Sequence, residues 1–217
     1  MDAKEIIARR VAQELHDGNV VNLGIGIPTM VADYIPEGIH VMLHSENGFI
    51  GLTSVDGEFL DPDIVNAGAK PAAIIPGGAC FDSVMSFALI RGGHLDMTVL
   101  GALEVDQRGN LANWMVPGKI VPGMGGAMDL VSGAKKVIVA MEHTAKGGAA
   151  KILKKCTLPL TGQGVVNMIV TNLAVFTVND NGLVLTETAP GVSVAAVQAA
   201  TEADFAVDAA LKQMSLG

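Results

Sequence analysis

Two segments of the 217-residue chain join a chemically competent side chain, or a run of free backbone N–H groups, to glycines that can shape the backbone around it. The first is Ser45-Glu46-Asn47-Gly48, directly after an apolar segment that reads as a strand. Asn-Gly is a turn signal, so Glu46 has two readings. It is a solvated carboxylate at a turn tip, or a carboxylate held rigidly at a strand's carboxyl end, partly desolvated and therefore a better nucleophile. The second segment is Pro122-Gly123-Met124-Gly125-Gly126-Ala127-Met128-Asp129, which precedes a helix candidate. Its backbone N–H groups can point at an anion or a developing oxyanion, or its glycines can serve close helix–strand packing. The residue pattern alone leaves each choice open.

Other candidates carry less. Gly24-Ile25-Gly26-Ile27-Pro28-Thr29 has part of a dinucleotide-binding pattern, but Thr29 stands where that pattern requires glycine, and the segment reads as a strand-to-helix turn. No metal is expected: on an extended strand His40, His44 and Glu46 share a face, yet at about 3.3 Å per residue the two histidines stand roughly 13 Å apart. His16, His94 and His143 are isolated in sequence. Cys80 and Cys156 fall in no paired or metal-ligand spacing, in keeping with a reducing compartment, and Cys156 beside Lys154 and Lys155 lacks a base that would activate it. Lys135, Lys136, Lys146, Lys151, Lys154 and Lys155 crowd one stretch of an otherwise acidic chain, as a solvated face of which one or two members contact a phosphate-bearing ligand.

The elements that must position these residues alternate. An amphipathic helix is predicted over 3–16, a strand over 20–23, a helical turn from the Gly24 loop to about Tyr34, and a strand over 40–44. A strand over 72–75, a helix over 82–90 and a strand over 97–100 follow, then strands over 136–141, 165–170, 174–178 and 183–186, and an Ala-rich helix over 194–211. This pattern predicts an α/β fold: an open, mostly parallel sheet with helices on both faces, in one domain over 1–217, with the Gly-rich loops beyond the carboxyl ends of the strands.

Composition sets the outer limits. Lys+Arg 14 against Asp+Glu 22 leaves −8, a sign that repels phosphate backbones, so no nucleic-acid partner is expected. Half the residues are hydrophobic, 17% are charged and the mean hydropathy is +0.44, which excludes a disordered chain. The longest uncharged run, 157–179, is interrupted by Pro159, Gly162, Gln163, Gly164, Asn167 and Asn172 and fits two buried strands better than a membrane span. The charged segment MDAKEIIARR does not read as a signal peptide, so a cytoplasmic protein is expected. So apolar a chain also suggests surface that a partner covers.

Taken together, NLGIGIPT at 22–29, SENGFIG at 45–51, VNAGAKP at 65–71, SFALIRGGHLD at 86–96, LGALEVD at 100–106, NLANWMVPGK at 110–119 and PGMGGAMDLV at 122–131 resemble the β (B) subunits of two-component 3-oxoacid coenzyme A-transferases, in particular the acetate and butyrate–acetoacetate branch. The resemblance covers nearly the whole chain. It implies that Glu46 is the nucleophile, that the Gly126 N–H helps form an oxyanion hole, and that Gly24, Gly26, Asn47 and Gly125 belong to the substrate and coenzyme A (CoA) pocket. It further implies an α (A) partner, a heterotetramer, and a ping-pong reaction through a glutamyl-CoA thioester that needs no cofactor, CoA being a substrate. Where family members commonly continue with Leu-Gly-Pro, this chain has Leu52-Thr53-Ser54 and an acidic loop over 56–63, a departure that bears on the acid substrate. The alternative reading is a sugar-phosphate isomerase, or a regulatory protein that binds phosphosugars, of similar architecture.

Overall fold

The protein is seen in a computed structural model that describes residues 1–54, 61–119 and 123–217. Its centre is a run of parallel strands, each short and apolar. β1 (Val20–Leu23) pairs in parallel with β2 (Met42–Ser45) on one side and β5 (Met97–Leu100) on the other. The row continues through β8 (Val137–Ala140) to β10 (Met168–Val170), again in parallel. Antiparallel strands extend both flanks. On one, β3 (Phe49–Thr53) and β4 (Ala73–Cys80) follow β2; on the other, β11 (Ala174–Asn179) and β12 (Gly182–Thr188) follow β10, with β13 (Phe205–Gln213) added in parallel at the edge. A separate small sheet joins β6 (Glu104–Asp106), β7 (Leu111–Ala112) and β9 (Ile152–Leu153).

Alternation along the central strands divides two cores. Val21, Met97, Val99, Ile138, Ala140 and Val170 face α1 (Ala3–Ala12), which contributes Ile7 and Val11. Leu100, Val137, Val139 and Ile169 face the opposite core, to which α2 (Ser83–Arg91), α3 (Ala127–Gly133) and α4 (Val194–Ala200) contribute Ile90, Leu130 and Val197. Helices thus cover both faces, which explains why the middle strands read as unbroken apolar runs. α1 is also fixed to the sheet by charge: Arg10 donates to both oxygens of buried Glu187 at 2.6 and 2.9 Å and to Glu14 at 2.8 Å.

Several expected boundaries move. The first helix ends at Ala12 rather than residue 16, tightening into i→i−3 bonds from Glu14 and Leu15. Residues 27–34 form a 3-10 helix, with Pro28 in its first turn. The strand expected over 72–75 runs on through Pro76-Gly77-Gly78 to Cys80, tolerable because β4 is a sheet edge. The carboxyl-terminal helix expected over 194–211 stops at Ala200, and the chain re-enters the sheet as β13 beside β12. Of the acidic loop over 56–63, residues 56–60 lie outside the described residues, as does Pro122 of the second glycine cluster. No helix among the described residues is long and apolar enough to cross a membrane.

Candidate active site

From β1 the chain builds outward in one direction to β2 and later in the other to β5, so the order of the sheet reverses at β1's carboxyl end. A crevice opens at such a switch point. Gly24 lies there, its N–H bonded to Val99 O at 2.8 Å; a Cβ would meet Val99 O and Leu100 Cδ2 at 3.0 Å, so glycine lets the exit of β1 lie against β5.

Glu46 follows β2 in a tight turn closed by Gly48 N–H to Ser45 O at 3.0 Å. Gly48 has φ +137, and a Cβ there would stand 2.3 Å from Phe81 O, so only glycine makes this turn. Ser45 Oγ donates to Asn47 Oδ1 at 2.6 Å and accepts from Ala67 N–H at 3.1 Å, while Asn47 Nδ2 donates to Val65 O at 2.7 Å. Asn47 therefore pins the turn to the 65–67 loop, with its side chain committed to protein partners.

The Glu46 carboxylate is half-buried. Its Oε2 accepts from Asn22 Nδ2 at 3.0 Å, and its other oxygen faces α3. Gly126 caps that helix and is buried directly against Glu46: a Cβ on Gly126 would lie 3.4 Å from Glu46 Cγ, 3.5 Å from Oε1 and 3.4 Å from Phe87 Cζ. Phe87 extends from α2, with Arg91 over its ring and bonded to Asp129 of α3 at 2.6 Å. A concavity of about 310 Å³ lined by Ser83, Val84, Phe87 and Arg91 and a second of about 170 Å³ that includes Asn47, Gly48 and Cys80 flank the turn.

The two residues singled out for chemistry, Glu46 and Gly126, are thus brought together. Gly24 and Asn47 shape the same corner. Gly26 (φ +96) and Gly125 (φ +51) are exposed, with open space where a Cβ would go, and supply backbone geometry that favours glycine. Three of the clustered lysines are committed to ion pairs: Lys135 with Asp96, Lys136 with Glu14 and Lys154 with Asp204. Burial and the nearby Asp106 push the Cys156 thiol up to about 12, which makes it inert.

Sequence reasoning alone does not single out Asn22, His44 and Ser86 as members of the site. Asn22 and His44 are register partners on β1 and β2, and His44 Nε2 lies 3.0 Å from Ser86 Oγ of α2. All three are almost completely buried. The one signal that could have found them is a polar residue inside an apolar strand, Val20-Val21-Asn22-Leu23, which needs a buried partner. Among the described residues no three His, Cys, Asp or Glu side chains gather as metal ligands would.

The model of the "Coenzyme A transferase" family matches residues 4–200. The beta subunit of the acetate CoA-transferase of Escherichia coli is 64% identical over 97% of this chain and 97% of its own length. The B subunit of a probable succinyl-CoA:3-ketoacid coenzyme A transferase of Bacillus subtilis is 52% identical over 95% of this chain and 96% of its own. An acyl-CoA transferase of Escherichia coli, solved as a thioester complex with CoA, superposes with a TM-score of 0.79 at 25% identity; it aligns with all of this chain, which spans 44% of that longer one. These relatives are CoA-transferases, so the sugar-phosphate alternative is not favoured. The chain belongs to the coenzyme A transferase family.

Proposed function

We propose that the chain is the nucleophile-bearing component of a cytoplasmic enzyme that moves CoA between an acyl-CoA and a short-chain or 3-oxo carboxylic acid of the acetate, butyrate, acetoacetate or succinate class. The observation that carries this reading is Glu46, a carboxylate held by Asn22 on a rigid turn and packed against the backbone of Gly126.

In this reading a Glu46 oxygen attacks the acyl-CoA thioester carbonyl, the C–S bond breaks, and CoA leaves as thiolate from a mixed anhydride. The thiolate then attacks the glutamyl carbonyl and displaces the first acid as its carboxylate, leaving a Glu46–CoA thioester. A second carboxylate runs both steps in reverse and departs as its CoA ester. Thioester energy is retained and no proton is gained or lost, so neither ATP nor metal is required. Each step passes through a tetrahedral oxyanion, for which the Gly126 N–H is the donor; one such donor typically contributes about 3–4 kcal/mol. The thioester complex solved for the structural relative supports this intermediate.

A second, different chain completes the enzyme. Support comes from the names of the relatives, which are beta or B subunits, from the longer solved chain, and from exposed apolar side chains, Ile25 just beyond β1 and Val84 and Met85 on α2. Two copies of each chain form the working assembly. The test is CoA transfer by this chain alone and together with its companion, across acetate, butyrate, acetoacetate and succinate. Transfer that requires both chains supports the proposal; full activity of this chain alone overturns the two-component reading, and no transfer to any acid overturns the substrate class.

A further inference from the structure

His44, Asn22 and Thr98 form a polar row across three neighbouring strands, His44 paired with Asn22 and Asn22 with Thr98 in the sheet register. The row faces α2 and is shut off from solvent, each member being 1% exposed or less. Phe81 stacks on the His44 ring, with centroids 6.3 Å apart. Asn22 is the member that touches Glu46, and its amide is anchored from one side only. Nδ2 is ringed by three groups: Glu46 Oε2 at 3.0 Å, His44 O at 3.3 Å and His44 Nδ1 at 3.5 Å. Oδ1 is buried and has no hydrogen-bond partner among the described residues. What decides which way round the amide lies is therefore what faces Nδ2.

We propose that His44 is a positioning residue for the transfer reaction: it acts through Asn22, and Ser86 holds the far side of its ring. With Nε2–H donating to Ser86 Oγ, Nδ1 is an acceptor, and the amide NH2 has acceptors on every side that faces Glu46. With the proton on Nδ1 instead, an N–H would confront the amide NH2. Relieving that clash by turning the amide over would set Oδ1 against the Glu46 carboxylate and His44 O, so either way the donor to Glu46 is weakened. The Nε2–H form therefore keeps a hydrogen-bond donor aimed at the nucleophile, holding it in one place before attack. Burial supports this by keeping the ring neutral, its pKa pushed down from 6.5 to about 4.

The inference rests on Glu46 being the nucleophile, and its test separates the two. In the assembled transferase, the rate of CoA-adduct formation and KM for acyl-CoA are measured for Asn22→Ala, His44→Leu, His44→Gln, Ser86→Ala and the double variant Asn22→Ala/His44→Leu, with Glu46→Gln alongside. His44→Leu is expected to slow adduct formation at least tenfold with KM changed less than about twofold, because precise placement matters chiefly at the transition state. His44→Gln, whose amide can still serve Ser86 and Asn22, is expected to recover most of the rate. The double variant is expected to be no slower than Asn22→Ala, the mark of one residue acting through the other. Should His44→Leu not fold, Ser86→Ala must show the same slow, KM-neutral behaviour. Wild-type adduct rates in His44→Leu and Ser86→Ala, or losses that multiply with that of Asn22→Ala, overturn the proposal. An active Glu46→Gln overturns the Glu46 reading instead.

Discussion

Gly126 lies against Glu46 so closely that the Cβ it lacks would stand 3.4 Å from Glu46 Cγ and 3.5 Å from Oε1. The contact joins the amino end of α3 to the turn after β2, elements 80 residues apart in the chain (126 − 46). Its backbone dihedrals, φ −82 and ψ 2, are open to any residue, and a Cβ would meet only ordinary van der Waals contacts, so what this position offers the carboxylate is its backbone.

Substitutions at Gly126 should therefore divide. Gly126→Ala folds normally, since its Cβ meets only ordinary van der Waals contacts. Gly126→Pro retains a compatible φ but removes the N–H; kcat is expected to fall about 10²–10³-fold with little change in acyl-CoA KM. Steady-state kinetics checks this, and a Gly126→Pro enzyme of normal turnover would move the oxyanion donor elsewhere in the loop.

Gly48 makes a contrasting case. Because a Cβ would collide with Phe81 O at 2.3 Å and φ is +137, Gly48→Ala must open the turn that carries Glu46. Loss of both activity and thermal stability is expected, measured by transfer assay and by the unfolding midpoint. A variant as stable and as active as wild type contradicts the turn geometry.

The Arg10–Glu187 pair predicts a stability effect remote from the site. Removing Arg10 leaves Glu187, which is 3% exposed, with Lys212 at 3.4 Å as its one cationic partner among the described residues. Arg10→Ala is expected to cost about 3–5 kcal/mol in denaturant unfolding, while Arg9→Ala, which breaks a part-exposed i,i+4 pair and a stacking contact over Tyr34, costs about 1 kcal/mol. Equal losses for the two would contradict the assignment of a buried pair.

Two buried histidines set the acid limit of stability. Burial pushes the pKa of His44 and of His143 down from 6.5 to about 4; His143 is bonded to Thr171 and Thr201 on its two ring nitrogens. Between these values the unfolded chain binds more protons than the folded one. Stability is then complete above about pH 6.5 and falls as the pH drops toward 4, by up to roughly 1.4 kcal/mol per pH unit for each histidine. Urea unfolding from pH 7.5 to 4 measures the slope. His143→Gln should flatten it, and an unchanged slope would remove His143 from the account.

Much of this architecture can be read from the residues, and the rest fails for identifiable reasons. The runs Val20–Leu23 and Met97–Leu100 become β1 and β5 without a shift, because strands buried on both faces need no polar alternation. β6, β7 and β9 have only two or three residues each, too short to carry a period. Residues 205–213 follow an Ala-rich helix and share its propensity, but the edge of β12 offers a ladder that outweighs it. At the site, the glutamate and glycine motifs are visible because turns demand particular residues. Asn22, His44 and Ser86 are not, since their roles depend on three separate elements meeting around one buried point.

The most direct test of the central claim is the mass of the Glu46 peptide after the assembled enzyme is incubated with acyl-CoA and no acceptor acid. The chain is expected to gain the mass of CoA on that peptide, to lose it when an acceptor carboxylate is added, and to gain nothing in Glu46→Gln, whose neutral amide is a poor nucleophile. A working transferase with no adduct on Glu46, or a Glu46→Gln enzyme that transfers CoA at the wild-type rate, would contradict the covalent mechanism.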